Sequence, residues 1–442
     1  MKMALLFSGR RILQARKLLI SNPRNTGYVV LLPEIGDISA DPLSQNDGLP
    51  EFSNVTIENC TASIAKQTLE FESGVKKIEK DLESKDVDIV KYMLEPLEIL
   101  CTPLELTWGI SKTLYLGNNT LIPTKTYLPI HERARRARST KYHNDKIYKA
   151  VKNELSKEKE WDSEVKRVLD KFLLEGKLNG LELEGKNAEK LKETWNKLTS
   201  EKQQFKRKID VQNQKFSHTI SDYNIVREFP KDLLEKISAD TRNILNGPWK
   251  ITLQPHIYLP TMQYCPDREI RWNLWQALVK RGSGYSDKES ATSIHIEEIR
   301  SQRHLMAELL GYKSFVDMSM QTKMAGSIEN VKNSINTLLE KAKPAQDAEI
   351  KSLHDFATQN GFNYEQLELW DVPYWRRKQE MSVYNFNADE YKEYLPYPSV
   401  LRGLFKLSEK LFNIVIKQRK DVSTWHKDVE FYDILEPHCS AP

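Results

Sequence analysis

The chain has 442 residues, 39% of them hydrophobic, and carries 66 lysines and arginines against 62 aspartates and glutamates. This length is enough for two or three folded domains, and the net charge of +4 excludes a strong overall preference for nucleic acid or acidic partners. The four cysteines lack CxxC or zinc-ribbon spacing, which favours a reducing compartment. No apolar run reaches the roughly 18 residues that a bilayer span needs, so we predict no membrane-spanning segment.

The first 45 residues form the one segment with a strong charge bias. Six basic residues precede the first acidic residue, Glu34, and they are Lys2, Arg10, Arg11, Arg16, Lys17 and Arg24. In a helix, Leu5, Ile12 and Leu19 share one face, which is the amphipathic, Arg-rich pattern of a mitochondrial transit peptide. We therefore predict a basic presequence at residues 1–45 and a mitochondrial location, with a disordered basic tail and a cytosolic location as the alternative.

Beyond this segment the apolar pattern is mainly helical. Residues 165–172 and 191–205 carry apolar side chains at the i, i+3, i+4, i+7 spacing of amphipathic helices. Ser327 is placed to cap a further helix, which we expect Pro344 to end, and residues 400–411 carry one more apolar stripe. We expect each of these helices to bury its apolar face against neighbouring elements.

Only two segments have the composition of strands. The first is 249–265, interrupted by Pro255 and Pro260, and the second is 427–435, near the end of the chain. Because folded proteins rarely leave a strand edge open, the last strand either pairs with an earlier segment or lacks a partner. We predict a mainly α fold with a small β element, divided into the basic segment 1–45, an N-terminal helical domain 46–235, a second helical region with short strands 236–420, and a terminal strand and tail 421–442.

The sequence HERAR at residues 131–135 is the closest approach to a metal motif. The zinc motif HExxH places two histidines one helical turn apart, with a glutamate as the base. Here Arg135 stands in place of the second histidine, and a protonated guanidinium donates hydrogen bonds but does not ligate zinc. The basic residues of 133–141 have no aromatic residue among them for base stacking, so we interpret the segment as a solvated helix face and predict no nucleic-acid partner.

A second candidate is HIEEIRSQRHLMAELLGY at residues 295–312. Glu297, His304 and Glu308 share one face of a helix there, and carboxylate with imidazole is a metal-binding combination. Arg300 lies on the same face and opposes a bound cation, so we predict ordinary charge pairs. The motifs GxxxxGK[ST], GxGxxG and GxSxG do not occur, and spacing alone identifies no nucleophile with its base; the residues therefore predict no catalytic centre.

Four separated stretches together indicate a family. They are YLPTMQYC at 258–265, RSQRHLMAELLGYKSFVDMSMQTKMA at 300–325, LELWDVPYW at 367–375 and VSTWHKDVEFYDI at 422–434. On these stretches, which occur in the family's order and at its intervals, the chain resembles the thimet oligopeptidase and oligopeptidase A family of zinc metallopeptidases, and its oligopeptidase A branch in particular. A weaker likeness in LPEFSNVTIENCTASIAKQTLE extends the resemblance over nearly the whole chain after residue 48.

The resemblance implies a mainly helical, two-lobed endopeptidase whose deep channel admits short peptides and excludes folded proteins. In that family the WHxDV strand is followed by a partner strand and by the zinc helix with HExxH, and neither occurs in this sequence. The resemblance therefore implies that this chain is the N-terminal portion and that the zinc-binding catalytic half is absent. It gives the chain no catalytic residue, no metal ligand and no cofactor of its own; zinc belongs to the complete family members.

One part of the scaffold matches a family stretch near the substrate channel. Its residues are Trp370, Asp371, Tyr374 and Trp375, where the family usually has a second tyrosine at the position of Trp375. These side chains either line the channel or pack between helices. Two functions stay open: the N-terminal half of a zinc metalloendopeptidase that is inactive alone, or a catalytically dead helical scaffold that binds peptides or a full-length relative. The expected partners are short peptides, with self-association or the missing catalytic half in addition.

Overall fold

The computed structural model describes residue 43 and residues 50–83, 88–117, 121–157, 159–240, 242–284 and 288–437. The expected presequence, apart from residue 43, and the last five residues of the expected tail lie outside the described residues. The described part is mainly helical with two two-stranded sheets, which confirms the predicted mainly α fold with a small β element. None of its helices is long and apolar enough to cross a membrane.

The helices and strands are numbered here in chain order. The helices of the first third are α1 Ile57–Asp81, α2 Glu95–Gly117, α3 Thr124–Ser139 and α4 Asp145–Leu155. They are followed by α5 Ser163–Leu178, α6 Lys186–Lys215, β1 His218–Ile220, α7 Tyr223–Val226, α8 Lys231–Ile237, β2 Trp249–Ile251, α9 Pro255–Tyr264 and α10 Arg268–Val279. The remaining elements are α11 Ser293–Leu309, α12 Phe315–Met320, α13 Ile328–Gln359, α14 Val372–Tyr384, α15 Ala388–Tyr394, α16 Tyr397–Phe412, β3 Val415–Arg419 and β4 Phe431–Leu435.

The chain divides into two compact units, of which the first contains residues 1–141 and 417–433. Its helices α1, α2 and α3 pack on one another. The hydroxyl of Thr56 accepts a hydrogen bond from the backbone N–H of Asn59 and so caps α1. A Cβ added at Gly74 of α1 would lie 2.4 Å from a methyl group of Leu100 of α2, so the Leu100 side chain packs directly on the glycine.

The second unit contains residues 142–416 and 434–442. In it α4 packs on α5, α6 packs along α11, and β1 pairs antiparallel with β2 so that Ile220 lies opposite Trp249. Trp249 is only 1% exposed, and its indole N–H donates to the carbonyl of Ile244 at 2.9 Å. Helices α8, α9 and α10 surround this core, and α14 packs on α9. The predicted domain boundaries at residues 45, 235 and 420 stay predictions.

The predicted strand at 249–265 is wrong beyond its first three residues. Residues Pro255–Tyr264 form helix α9, because Pro255 occupies the first helical turn, where a missing N–H costs nothing. Pro260 lies within this helix, and Thr261 donates its hydroxyl proton to the Ile257 carbonyl. Two strands that the sequence did not indicate, β1 and β3, supply the partners of β2 and β4.

The last strand pairs with an earlier segment. Its observed extent is Phe431–Leu435, and its partner is β3, Val415–Arg419. Phe431 packs near Phe52 and Trp425, with ring centroids 5.3 and 6.3 Å away. The hairpin is therefore anchored by aromatic packing in addition to its backbone hydrogen bonds.

Helix α13 does not end at Pro344 as expected but continues to Gln359. Its predicted cap is confirmed, because the Ser327 hydroxyl accepts from the backbone N–H of Asn330 at 3.1 Å. The expectation that its apolar face is buried is wrong for Ile335 and Leu338, which are 57% and 65% exposed. The same holds for α16, in which none of the residues is buried.

Candidate functional site

Asp371 lies at the centre of the segment that matches the family stretch. It directly precedes α14, and its side chain is fully buried. Its carboxylate accepts hydrogen bonds from the guanidinium groups of Arg268 and Arg271, both of which lie on α10. The backbone N–H of Glu368 donates to the same carboxylate at 3.2 Å. A carboxylate with its acceptor positions filled in this way holds α10 and the start of α14 together.

Arg271 is itself buried, with only 2% of its surface exposed. Its Nη2 donates to Asp371 at 3.1 Å, its Nε to the Trp370 carbonyl at 3.0 Å, and its Nη1 to the carbonyls of Cys265 and Pro266. A buried cation is stable only when its charge is paired and its donors are satisfied. Asp371 and the three carbonyls meet both conditions.

Arg268 is the more exposed partner of Asp371. Its side chain retains 21% exposure, and its guanidinium lies 3.9 Å from the ring centroid of Tyr364. Burial acts to lower the pKa of Arg268, but the hydrogen bonds to Asp371 outweigh burial, so the pKa is raised. Arg268 therefore stays charged at neutral pH.

The three aromatic candidates form a half-buried shell around these ion pairs. Trp370 packs against Trp275 with ring centroids 4.8 Å apart, and Trp375 meets Tyr374 edge to face at 5.3 Å. Tyr374 also lies 4.5 Å from the Arg271 guanidinium. The structure thus brings all four candidate residues together, with Asp371 enclosed within protein. That these residues line a substrate channel stays a prediction.

A groove of about 450 Å³ lies between α9 and α14, beside this shell. Tyr258 and Met262 of α9 and Pro373 and Met381 of α14 form its apolar part. Arg377 lies at its polar side, where its Nε donates to the Gln263 carbonyl at 2.9 Å. The size and the mixed lining are those of a site for a small molecule or for a few peptide side chains.

Glu228 fixes the basic side of the groove. Its carboxylate accepts hydrogen bonds from Arg377 and Lys378, each at 3.0 Å. Burial acts to raise the pKa of Glu228, but the two cations outweigh burial and lower it. Glu228 is about 150 residues away from these partners in the chain, so no local pattern indicates the contact.

A second long-range pair that the sequence did not indicate joins α6 to α11. His295 Nδ1 lies 2.6 Å from Glu201 Oε2, although 94 residues separate them. The only local signal was the polar pattern of the two helices, which gives no information on their relative register.

The two metal-like motifs form ion pairs. Glu132 of HERAR pairs with Arg135 at 2.9 Å, and its pKa is lowered by that hydrogen bond. On α11, Arg300 pairs with Glu297 at 2.8 Å, and His304 lies 3.3 Å from Glu308, which is the charge pairing expected from the sequence.

Zinc, which the resemblance implies for the family, does not fit the residues described here. No three His, Cys, Asp or Glu side chains in the described ranges come together as a metal site. The Glu132 carboxylate is already neutralised by Arg135. Burial raises the pKa of the Cys265 thiol to about 11, so at neutral pH this thiol is protonated and is a poor nucleophile.

Comparison with known proteins agrees with the resemblance. A model of "Peptidase family M3" matches residues 261–440, a range that contains the Asp371 cluster and α14. The chain is 27% identical over 408 residues to oligopeptidase A of Haemophilus influenzae, covering 90% of this chain and 58% of that protein.

Two plant proteins match over a similar extent. The probable cytosolic oligopeptidase A of Arabidopsis thaliana is 26% identical over 416 residues, which is 90% of this chain and 57% of that protein. The chloroplastic and mitochondrial organellar oligopeptidase A of the same plant is 25% identical over 411 residues, which is 90% of this chain and 51% of that protein. The chain spans about half the length of the curated relatives it matches. The family model and these relatives agree: residues 261–440 match peptidase family M3, and the chain is similar to oligopeptidase A proteins over about 90% of its length.

Proposed function

We propose that this chain contributes to the hydrolysis of short peptides by an M3 oligopeptidase, and that alone it binds peptides without cleaving them. The observation that carries the proposal is the M3 match over residues 261–440. The groove between α9 and α14, lined from Tyr258 to Asn387, falls almost wholly within that range and has the volume and mixed lining that suit peptide side chains.

The proposed lack of activity alone rests on the metal chemistry. A zinc peptidase needs about three protein ligands, with one coordination position open for water. The sequence contains no HExxH, and the described residues form no metal site. We therefore propose that the zinc implied by the resemblance is held by residues that this sequence does not contain.

A second candidate function is that of a non-catalytic helical scaffold that pairs with a full-length relative. The observation that favours it is the apolar stripe of α16, in which Val400, Leu404 and Leu411 are each about half or more exposed. An exposed stripe of this kind is typical of a helix that packs against a further polypeptide.

Hydrolysis and binding assays test the first of these proposals. With quenched fluorescent peptides and added zinc, we expect no turnover and no stoichiometric zinc. We expect labelled peptides to bind, and Leu259→Glu to weaken binding because Leu259 lines the groove and is 57% exposed. The control Leu339→Glu changes a residue of α13 with 56% exposure that does not line the groove.

Three results would contradict the proposal. Peptide binding that is absent, or that Leu259→Glu leaves unchanged, removes the assignment of the groove. Turnover that is lost with a chelator and with His131→Ala would instead make HERAR a metal site.

We also propose mitochondrial import, based on the basic residues of 1–45. The names of the similar plant proteins include both an organellar and a cytosolic form. A fusion of residues 1–45 to a fluorescent reporter tests the proposal: import with cleavage supports it, and diffuse cytosolic signal with an intact N-terminus refutes it.

A further inference from the structure

His131 takes no part in the ion pair of the HERAR segment. It lies half-buried on α3 and faces Trp108 of α2, with the two ring centroids 5.3 Å apart. The indole N–H of Trp108 donates a hydrogen bond to His131 Nδ1 at 3.3 Å, although 23 residues separate the two in the chain. Neither the family resemblance nor the proposed function assigns a role to this contact.

The tautomer of His131 follows from the chemistry of its partner. An indole N–H donates a hydrogen bond and has no lone pair with which to accept one. The Nδ1 atom of His131 must therefore offer its own lone pair to Trp108. The imidazole in this contact is consequently neutral, and its single proton lies on Nε2.

Tyr127 is the third member of the group. It lies one turn before His131 on α3, is only 5% exposed, and has its hydroxyl oxygen 3.3 Å from the same Nδ1 atom. Burial raises the pKa of Tyr127, so its hydroxyl keeps its proton at neutral pH. Because a hydroxyl both donates and accepts, Tyr127 donates to a neutral imidazole and accepts from a protonated one.

A proton on Nδ1 affects the two neighbours of His131 differently. Tyr127 reverses the direction of its hydrogen bond, and this contact within α3 persists. Trp108 is a donor that then faces a second donor, so the hydrogen bond between α2 and α3 is lost. The contact between the helices is therefore complete above the range of about pH 5 to 8 in which histidine ordinarily titrates, and is lost as the pH falls through it.

The charged groups around His131 already have partners. On α3, Glu132 pairs with Arg135 at 2.9 Å, and the charge of His131 acts on the pKa of Glu132 less than Arg135 does. From α2, Glu105 pairs with Arg138 of α3 at 2.8 Å. The helix α1 also packs on α3, but no side chain of its described residues forms a hydrogen bond or an ion pair with His131. A protonated His131 thus has no unpaired carboxylate that would hold it in place.

We propose that Trp108, Tyr127 and His131 form a proton-sensitive contact, in which protonation of His131 at Nδ1 breaks its hydrogen bond with Trp108 and loosens the packing of α3 on α2. Both helices belong to the first unit, and the groove between α9 and α14 belongs to the second. The proposal therefore does not depend on peptide binding or hydrolysis.

Nuclear magnetic resonance of the full chain, labelled with nitrogen-15 in histidine and tryptophan, tests the proposal. Trp108→Phe and His131→Asn each remove one signal and so assign it. At about pH 8 we expect a proton on Nε2 of His131 and none on Nδ1. Between about pH 8 and about pH 5 we expect the indole signal of Trp108 to shift with the same midpoint as the imidazole signals of His131.

Two variants separate this contact from general effects of pH. In His131→Asn, the amide oxygen lies near the position of Nδ1, accepts a hydrogen bond and does not titrate, so the Trp108 signal should stay constant. The control His256→Gln removes an exposed histidine of α9 and should leave the titration of Trp108 unchanged.

Hydrogen exchange measures the packing of α3. After correction for the intrinsic effect of pH, we expect the protection of the amides of Thr124–Ser139 to fall about threefold or more between about pH 8 and about pH 5, because a hydrogen bond between helices is lost. His131→Asn should show a smaller loss.

Four results would each overturn the proposal. They are a proton on Nδ1 of His131 at about pH 8, an imidazole that stays neutral down to about pH 5, a Trp108 signal that stays constant while His131 titrates, and an equal loss of protection in the wild type and His131→Asn. The first three use the unchanged chain, so they do not depend on the folding of a variant.

Discussion

Asp371 is a single residue on which two arginine side chains of α10 and one backbone N–H converge. We predict that Asp371→Asn destabilises the second unit by about 3–5 kcal/mol, because it leaves the buried Arg271 without a counter-charge. The measurement is chemical denaturation monitored by tryptophan fluorescence, since Trp370 and Trp275 pack beside the pair. The control is Glu380→Gln, which breaks an exposed pair with Arg376 on α14 and should cost about 0.5 kcal/mol or less. Equal effects of the two substitutions would show that the buried pair contributes no more than the surface pair.

At the residue scale, the sequence predicted which segment holds the candidate site residues, but not which other residues they contact. Asp371 and its aromatic neighbours were identified from the family stretch. Their partners Arg268 and Arg271 lie about 100 residues earlier, and nothing in their local pattern distinguishes them from other arginines of an amphipathic helix. Long-range pairing of this kind depends on which helices meet, and only the folded structure supplies that information.

At the scale of elements, the terminal hairpin depends on the aromatic contacts of one side chain, Phe431. We predict that Phe431→Ala weakens the β3–β4 hairpin by about 2 kcal/mol, because it removes the ring that packs on Phe52 and Trp425. Two-stranded hairpins are marginally stable without such packing. Hydrogen exchange is the measurement, with faster exchange expected for the amides of Val415–Arg419 and Phe431–Leu435.

The control Ile434→Ala truncates a 63% exposed residue of the same strand, and we expect it to change the stability of the hairpin by no more than about 0.5 kcal/mol. Similar exchange in both variants would contradict an aromatic anchor.

The elements that were predicted wrongly from the sequence share one cause, which is that helices α9 and α13 tolerate prolines. Pro255 and Pro260 were interpreted as breaks in a strand, but a proline in the first turn of a helix loses no hydrogen bond, and Pro260 is accommodated within α9. Pro344 likewise lies within α13, which continues to Gln359 although the proline ring removes one backbone hydrogen bond of the helix. Amphipathic spacing predicted α5 and α6 correctly, and Ser327 predicted the cap of α13, because these signals are local.

At the scale of the whole molecule, the apolar stripe of α16 is an exposed surface that calls for a partner. Leu404 and Leu411 are 54% and 66% exposed, and monomeric proteins rarely expose large contiguous apolar patches. We predict that the purified chain associates with itself as its concentration rises and that Leu404→Lys combined with Leu411→Lys shifts it towards monomer. Because both residues are already more than half exposed, the melting temperature should change little. Sedimentation velocity over a concentration series is the measurement.

The control, Asn336→Lys with Gln346→Lys on exposed positions of α13, adds the same charge without removing apolar surface, and should leave association unchanged. A wild-type chain that stays monomeric at every concentration, or a control that dissociates it equally well, would show that the stripe does not cause association.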